Sequence, residues 1–111
     1  MMRNIHFFTI KPGVDEKRIF DLWNNEVAEY ARRFGCLERR TLKLHDAHAK
    51  GKPAPSAKYM NESLWPSLKD AIAFTEDATR GQPPEHLKKA QAELFAGIEI
   101  EKTVRYVDEK G

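Results

Sequence analysis

The amino-acid sequence predicts an α+β fold, a βαββαβ arrangement in which a four-stranded antiparallel sheet carries its helices on one face. Three observations predict it. Residues Asp15–Phe34 form a long amphipathic repeat. The short run IHFFTI before it is apolar on both of its faces. The closing run IEIEKTVRYV alternates apolar and polar residues. Alternation with period two marks strands, and apolar residues three and four apart mark helices.

The elements follow in order. Ile5–Ile10 is the first strand, with Ile5, Phe7 and Thr9 on one side and His6, Phe8 and Ile10 on the other. Pro12-Gly13 turns the chain. In the long helix Ile19, Phe20, Trp23, Val27, Tyr30, Ala31 and Phe34 make the apolar stripe, Asp15 caps the start and Gly35 closes the end. Cys36–His45 is the second strand, where a bulge near Arg39-Arg40 reconciles Leu37 with Leu42 and Leu44. Asp46–Pro55 is a polar loop, and Ala57–Glu62 a short third strand. Ser63–Phe74 reads as a second helix capped by Ser63 or Ser67, and Thr75–Pro84 as a break. Pro84–Ala96 reads as a further helix with Gly97 as its stop. Ile98–Val107 is the last strand, with Ile98, Ile100, Val104 and Tyr106 facing one way and Glu99, Glu101, Thr103 and Arg105 the other.

In one domain this order is the split βαβ, or ferredoxin-like, arrangement. Right-handed crossovers put the helices on one face of the sheet. The other face is then bare, although the first strand offers Phe or Ile to both sides. Burying a phenylalanine contributes roughly 1.5–3 kcal/mol. A second copy of the same sheet, placed by a two-fold axis, is the expected cover. The fold class is therefore a sheet-to-sheet homodimer, with residues 1–111 as a single domain.

The runs FFTIKPG, FDLWNNEVAEYA, NESLWPSLKDAIAF and VRYV together resemble the dimeric α/β-barrel superfamily, in its EthD-like flavour. In that superfamily a histidine often follows the helix tryptophan by one turn, where this chain has Val27. The resemblance implies a ligand pocket between sheet and helices of each subunit, apart from the dimer face. It also implies a range of activities, from haem-degrading and cofactor-free monooxygenases to isomerases, decarboxylases and proteins without known activity.

Composition narrows the classes. The chain has 111 residues, 41% hydrophobic and 32% charged, with a formal charge of +2. That balance argues for a globular domain and against nucleic-acid or membrane partners. Phe7 and Phe8 point to opposite faces, which also argues against base stacking on the sheet. The lone Cys36 and the lack of a signal-peptide pattern point to a cytoplasmic protein.

His6 is the candidate catalytic residue, a general base projecting from the first strand. Its alternative is a core histidine satisfied by a backbone carbonyl. Trp23, Tyr30, Tyr59 and Trp65 are the candidate ligand-binding residues of a pocket under the long helix, and each also reads as ordinary packing. No cofactor is expected. Haem is the alternative, on the residue types Asn4, Trp65 and His86 that the resemblance brings together. His45 and His48 of the HDAH stretch are too few for a metal site without further ligands. Arg32, Arg33, Arg39 and Arg40 surround Cys36 and read as a solvated basic face able to attract a carboxylate-bearing ligand. The expected function is binding of a small hydrophobic or aromatic compound, with cofactor-free monooxygenase- or isomerase-type chemistry. A non-catalytic dimer that binds a ligand or partner is the alternative.

Overall fold

The structure, a computed structural model, describes residues 1–48, 50–53, 55–81 and 83–108. Ala49 and Ala54 of the polar loop and Gln82 of the expected break lie outside the described residues. Strand β1 (Met2–Ile10) leads to a long helix in three parts: α1 (Glu16–Asp21), a π-helical turn (Leu22–Val27) and α2 (Ala28–Arg33). β2 (Glu38–Lys43) and β3 (Tyr59–Trp65) follow, then α3 (Leu68–Arg80), α4 (Glu85–Ala96) and β4 (Ile98–Val107). The sheet order is β2-β3-β1-β4, with every neighbouring pair antiparallel. This is the predicted ferredoxin-like topology.

The long helix forms where its signals predicted. The Asp15 carboxylate accepts from the Lys17 amide at 3.1 Å, and Gly35 takes a positive φ of 98° just past the last turn. Its inward side chains Ile19, Leu22, Trp23, Val27, Tyr30 and Ala31 are buried. They pack with Met2 and Phe8 of β1, Leu87 and Leu94 of α4 and Ile98 of β4 in one core cluster. Gly97 is required for close approach: a Cβ there would meet Ile19 Cδ1 at 3.0 Å and Val14 Cγ1 at 3.1 Å.

Three sequence expectations are corrected. First, β3 continues through Ser63 and Leu64 to Trp65, so Trp65 is a strand residue and Ser67 alone caps α3. The pairing Met2↔Trp65 and Arg3↔Leu64 extends both strands beyond what local pattern shows. Second, α3 runs on to Arg80 rather than stopping at Thr75. The Gly-Pro signals of that region end the helix instead of replacing it. Third, β2 pairs with β3 in unbroken register, and the irregularity lies between β1 and β4. Phe7 pairs with Lys102 and Phe8 with Ile100, which leaves Glu101 as the extra residue of a bulge.

That bulge reverses the facing of the second half of β4. Ile98 and Ile100 lie opposite Ile10 and Phe8, on the helix side. Beyond the bulge Thr103 and Arg105 lie opposite His6 and Asn4 and take the helix side, while Val104 and Tyr106 turn to the bare face. The clean alternation of the sequence is thus broken in the middle of the strand.

Among the described residues, no helix is long and apolar enough to cross a membrane. The α3 cap is open to direct measurement. Ser67 accepts from the Asp70 amide at 3.3 Å, and Ser67→Ala is expected to lower the unfolding free energy by about 1 kcal/mol. A urea denaturation midpoint unchanged by Ser67→Ala would contradict the cap.

Candidate functional site

The even-numbered side chains of β1 face the helices. Met2 and Phe8 are fully buried at its two ends, while Asn4 and His6 between them are only partly covered. Above these two polar residues the helices stand away from the sheet and leave a cavity of about 540 Å³. Its sheet wall is Asn4, His6, Arg39, Trp65, Thr103 and Arg105. Its roof is Trp23 and Val27 from the π turn, Ala71, Phe74 and Ala78 from α3, and Gln91 and Phe95 from α4. Phe95 keeps nearly half its surface, and Thr103 and Arg105 are exposed, so the cavity opens between α4 and the β4 edge.

The π turn places the roof. A π-helical turn takes more residues than an α-helical one and shifts the helix phase. Leu22, Trp23 and Val27 are all buried as a result. The turn is tied to the sheet by a polar chain: Asn61 Nδ2 donates to Thr41 Oγ1 at 3.0 Å, and Thr41 donates to Asn24 Oδ1 at 2.9 Å. Trp23 then lies over His6, ring centroids 5.6 Å apart and planes within 22°.

His6 is held at both ring nitrogens. Nδ1 lies 2.7 Å from Thr103 Oγ1, and Nε2 lies 3.3 Å from Asn4 Nδ2. With the Asn4 amide in this orientation, its N–H₂ donates to Nε2, and Nδ1–H donates to Thr103. Burial, then the charges of Arg39 and Arg105, pull its pKa down from 6.5 to about 4. The ring is therefore neutral at physiological pH, and in this hydrogen-bond arrangement its lone pair lies at Nε2.

Arg39 is the second unusual group. Its Nε and Nη1 are buried and have no hydrogen-bond partner. The guanidinium carbon sits 5.4 Å from the Trp23 ring centre and 5.7 Å from that of Phe74. Such contacts contribute about 1–2 kcal/mol each, which offsets only part of the cost of burying a cation. Burial lowers its pKa to about 10, with nearby Cys36 acting in the opposite sense. Trp23 Nε1 and Asn4 Oδ1 are likewise buried without partners. Only Asn61 Oδ1, outside the cavity, joins these four atoms among the described buried side chains. Unsatisfied polarity is thus concentrated in one place, where a ligand would meet it.

The residues expected from sequence separate into two groups. His6, Trp23 and Trp65 line the cavity; Tyr30 and Tyr59 do not. Tyr30 packs edge-on against Phe34 and Phe74 in the core. Tyr59 stacks on Phe8, and its hydroxyl donates to Glu16 at 2.8 Å. Tyr59 instead lines a smaller concavity with Phe7, Leu42 and Met60. The Trp65 indole N–H is satisfied by Ser63 Oγ at 2.9 Å, so Trp65 offers the cavity only its face. Of the haem set, Asn4 and Trp65 line the cavity, but His86 is exposed on α4 and outside the lining. His45 and His48 are exposed and share Asp46, at 3.5 and 3.4 Å. Among the described residues, no group of three or more His, Cys, Asp or Glu side chains is placed to hold a metal ion. Burial raises the Cys36 thiol above its ordinary range, so the neighbouring arginines do not activate it.

The fold is shared with solved proteins of low sequence identity. SnoaB, a cofactor-independent oxygenase from Streptomyces nogalater, superposes with a TM-score of 0.66 at 11% identity, over 97% of this chain and 92% of that one. The hydroxynitrile lyase of Passiflora edulis gives 0.59 at 20% identity, over 97% and 94%. A dimeric ferredoxin-like protein from an uncultured marine organism gives 0.61 at 12% identity, over 98% and 95%. No protein-family model matches the chain, and no curated protein matches its sequence. At these identities the likeness establishes the ferredoxin-like fold.

The neutral state of His6 has a consequence for stability. Its folded pKa, about 4, lies below the unfolded value of 6.5, so the unfolded chain binds more protons between those limits. Stability is retained above pH 6.5 and falls as the pH drops towards 4. Denaturant melts at pH 7.5 and 4.5 are expected to show a loss that His6→Gln reduces by about 1–2 kcal/mol. An identical pH dependence in wild type and variant would contradict a buried neutral ring.

Proposed function

We propose that the chain is a homodimer that binds a small aromatic compound in the cavity and removes a proton from it with His6. The observation that carries this reading is the oriented, unprotonated imidazole at the floor of an aromatic-walled cavity. A volume of about 540 Å³ is in the range of small-molecule sites. Trp23, Phe74 and Trp65 supply flat apolar surface for a ring.

In the reaction His6 Nε2 takes a proton from a C–H made acidic by an adjacent carbonyl or phenol. The C–H electron pair stays on the substrate as an enolate, and the imidazolium donates through Nδ1–H to Thr103. In an isomerase the proton returns to a different atom. In a cofactor-free oxygenase the carbanion meets dioxygen instead. The existence of a cofactor-independent oxygenase on this fold supports such chemistry without a bound helper. The absent helix histidine is no obstacle, because the base stands on β1.

The dimer rests on the bare face. Ile5 and Phe7 of β1, Leu42 of β2, Met60 and Leu64 of β3 and Val104 of β4 share it by strand register. A carboxylate, Glu62, sits among them, nearly buried and paired with both Arg3 and Arg40. A second concavity of about 330 Å³, lined by Phe7, Leu42, Pro55 and Met60, adds shape to the same face. An apolar sheet face with an internally neutralised ion cluster suits a self-complementary contact. A ferredoxin-like neighbour described as dimeric agrees with it.

Two measurements check this reading. Sedimentation at micromolar concentration should show a dimer, and Met60→Glu should give a folded monomer; a monomeric wild type would contradict the assembly. Phenylacetone, a neutral aromatic ketone, should exchange its benzylic protons for deuterium in heavy water with the protein. His6→Gln should lose at least 100-fold of that rate. Exchange that survives His6→Gln unchanged would remove His6 as the base.

A further inference from the structure

We infer that the compound bound in this cavity carries an anionic group, a carboxylate or an enolate oxygen, that Arg39 receives beside the ring of Trp23. The inference rests on the proposed use of the cavity and names the class of molecule it takes.

Arg39 is placed on the helix side of the sheet by the unbroken β2–β3 register, opposite Ser63 and two residues from Thr41. Its neighbours in sequence do not share its position. Arg32 and Arg33 are exposed at the end of the long helix. Arg40 lies on the other face of the sheet and pairs with Glu62 at 3.2 Å. Of the four arginines around Cys36, only Arg39 enters the cavity. Its buried Nε and Nη1 point at no acceptor. Among the described residues, no carboxylate forms an ion pair with it; the titratable groups beside it are the Cys36 thiol and the His6 ring, both neutral.

A half-buried guanidinium whose Nε and Nη1 are closed to solvent without a counter-ion is an arrangement that most folds avoid. Here the two ring faces of Trp23 and Phe74 hold it in position without using its N–H groups. Stacking on aromatic faces fixes the plane and leaves the fork of donors free. That fork matches the two oxygens of a carboxylate. Trp23 Nε1, also buried and unpartnered in the cavity lining, adds a neutral donor. Arg105 stands exposed at the mouth, where its charge draws an anion inward.

The same anion changes the base. The charged groups that act on His6 are Arg39 from β2 and Arg105 from β4, and both suppress its protonation. Its other contacts, Asn4, Thr103 and Trp23, are uncharged. An anion between the arginines offsets their charge and makes Nε2 more basic when substrate is in place. An enolate that forms during proton removal would meet the same guanidinium, which stabilises the charge that develops.

The test compares 3-phenylpropionate with 3-phenylpropanamide, two ligands of one shape that differ in charge. Both tryptophans of the chain line the cavity, so quenching of intrinsic fluorescence reports occupancy. The carboxylate should bind at least tenfold tighter than the amide. Arg39→Met, which keeps an apolar side chain of similar length, should erase that preference. Arg39→Lys should keep part of it, and Arg105→Met should reduce it less than threefold. Equal binding of both ligands to wild type would overturn the anion site and leave the aromatic cavity standing. Failure of both ligands to bind would overturn the cavity reading as well. A preference that survives intact in a folded Arg39→Met protein would assign the anion elsewhere.

Discussion

The structure depends on one strand having to satisfy two different neighbours. β1 lies inside the sheet, between β3 and β4, and is apolar on both faces. Helices reach only one of those faces. Its even-numbered residues anchor the core with Met2 and Phe8 and expose Asn4 and His6 to the cavity. Its odd-numbered residues, Ile5 and Phe7, belong to the face without helices. Because successive side chains alternate strictly, the cavity and the bare face are set by the same register and cannot shift independently.

The site is assembled by two departures from regular geometry. The π turn brings Trp23 over His6, and the Glu101 bulge turns Thr103 and Arg105 towards it. Both devices occur often beside functional sites because each re-aims side chains without changing the fold. The result is a pocket in which Asn4 Oδ1, Trp23 Nε1 and two nitrogens of Arg39 lack partners among apolar walls. Those unpaired groups cost stability that the core of Trp23, Phe8, Leu22 and Ile19 must offset. This concentration of cost in one cavity is an observation on which the proposed ligand site rests.

Much of this was legible in the amino-acid pattern. The Asp15 cap, the inward stripe of the long helix and the Gly35 stop are local signals, and they act locally. The two-sided apolarity of IHFFTI likewise announces both a core and a bare face. His6 was singled out from that strand and Trp23 from the stripe of the long helix. What escaped is non-local. A bulge in β4 depends on how Phe7 and Phe8 pair with residues about ninety positions away, so the sequence alternation placed Thr103 and Arg105 on a wet face. The four arginines near Cys36 read as one cluster, yet strand geometry sends Arg39 and Arg40 to opposite faces. Alternation within β2 held that information, but the expected bulge at Arg39-Arg40 obscured it. Tyr30 and Tyr59 carry the same apolar-polar chemistry as Trp23, and only packing shows that their partners are Phe74 and Glu16.

The central claim is that the two faces of β1 have different tasks, one closed by a second copy and one opening to a ligand. A soluble paramagnetic agent, which relaxes nuclei it can approach, reads this directly by NMR on the protein at micromolar or higher concentration. Methyl groups of Ile5 and Val104 should be shielded, and those of Thr103 at the cavity mouth should be strongly relaxed. Relaxation of Ile5 and Val104 as strong as that of Thr103 would show the bare face open to water and contradict the account.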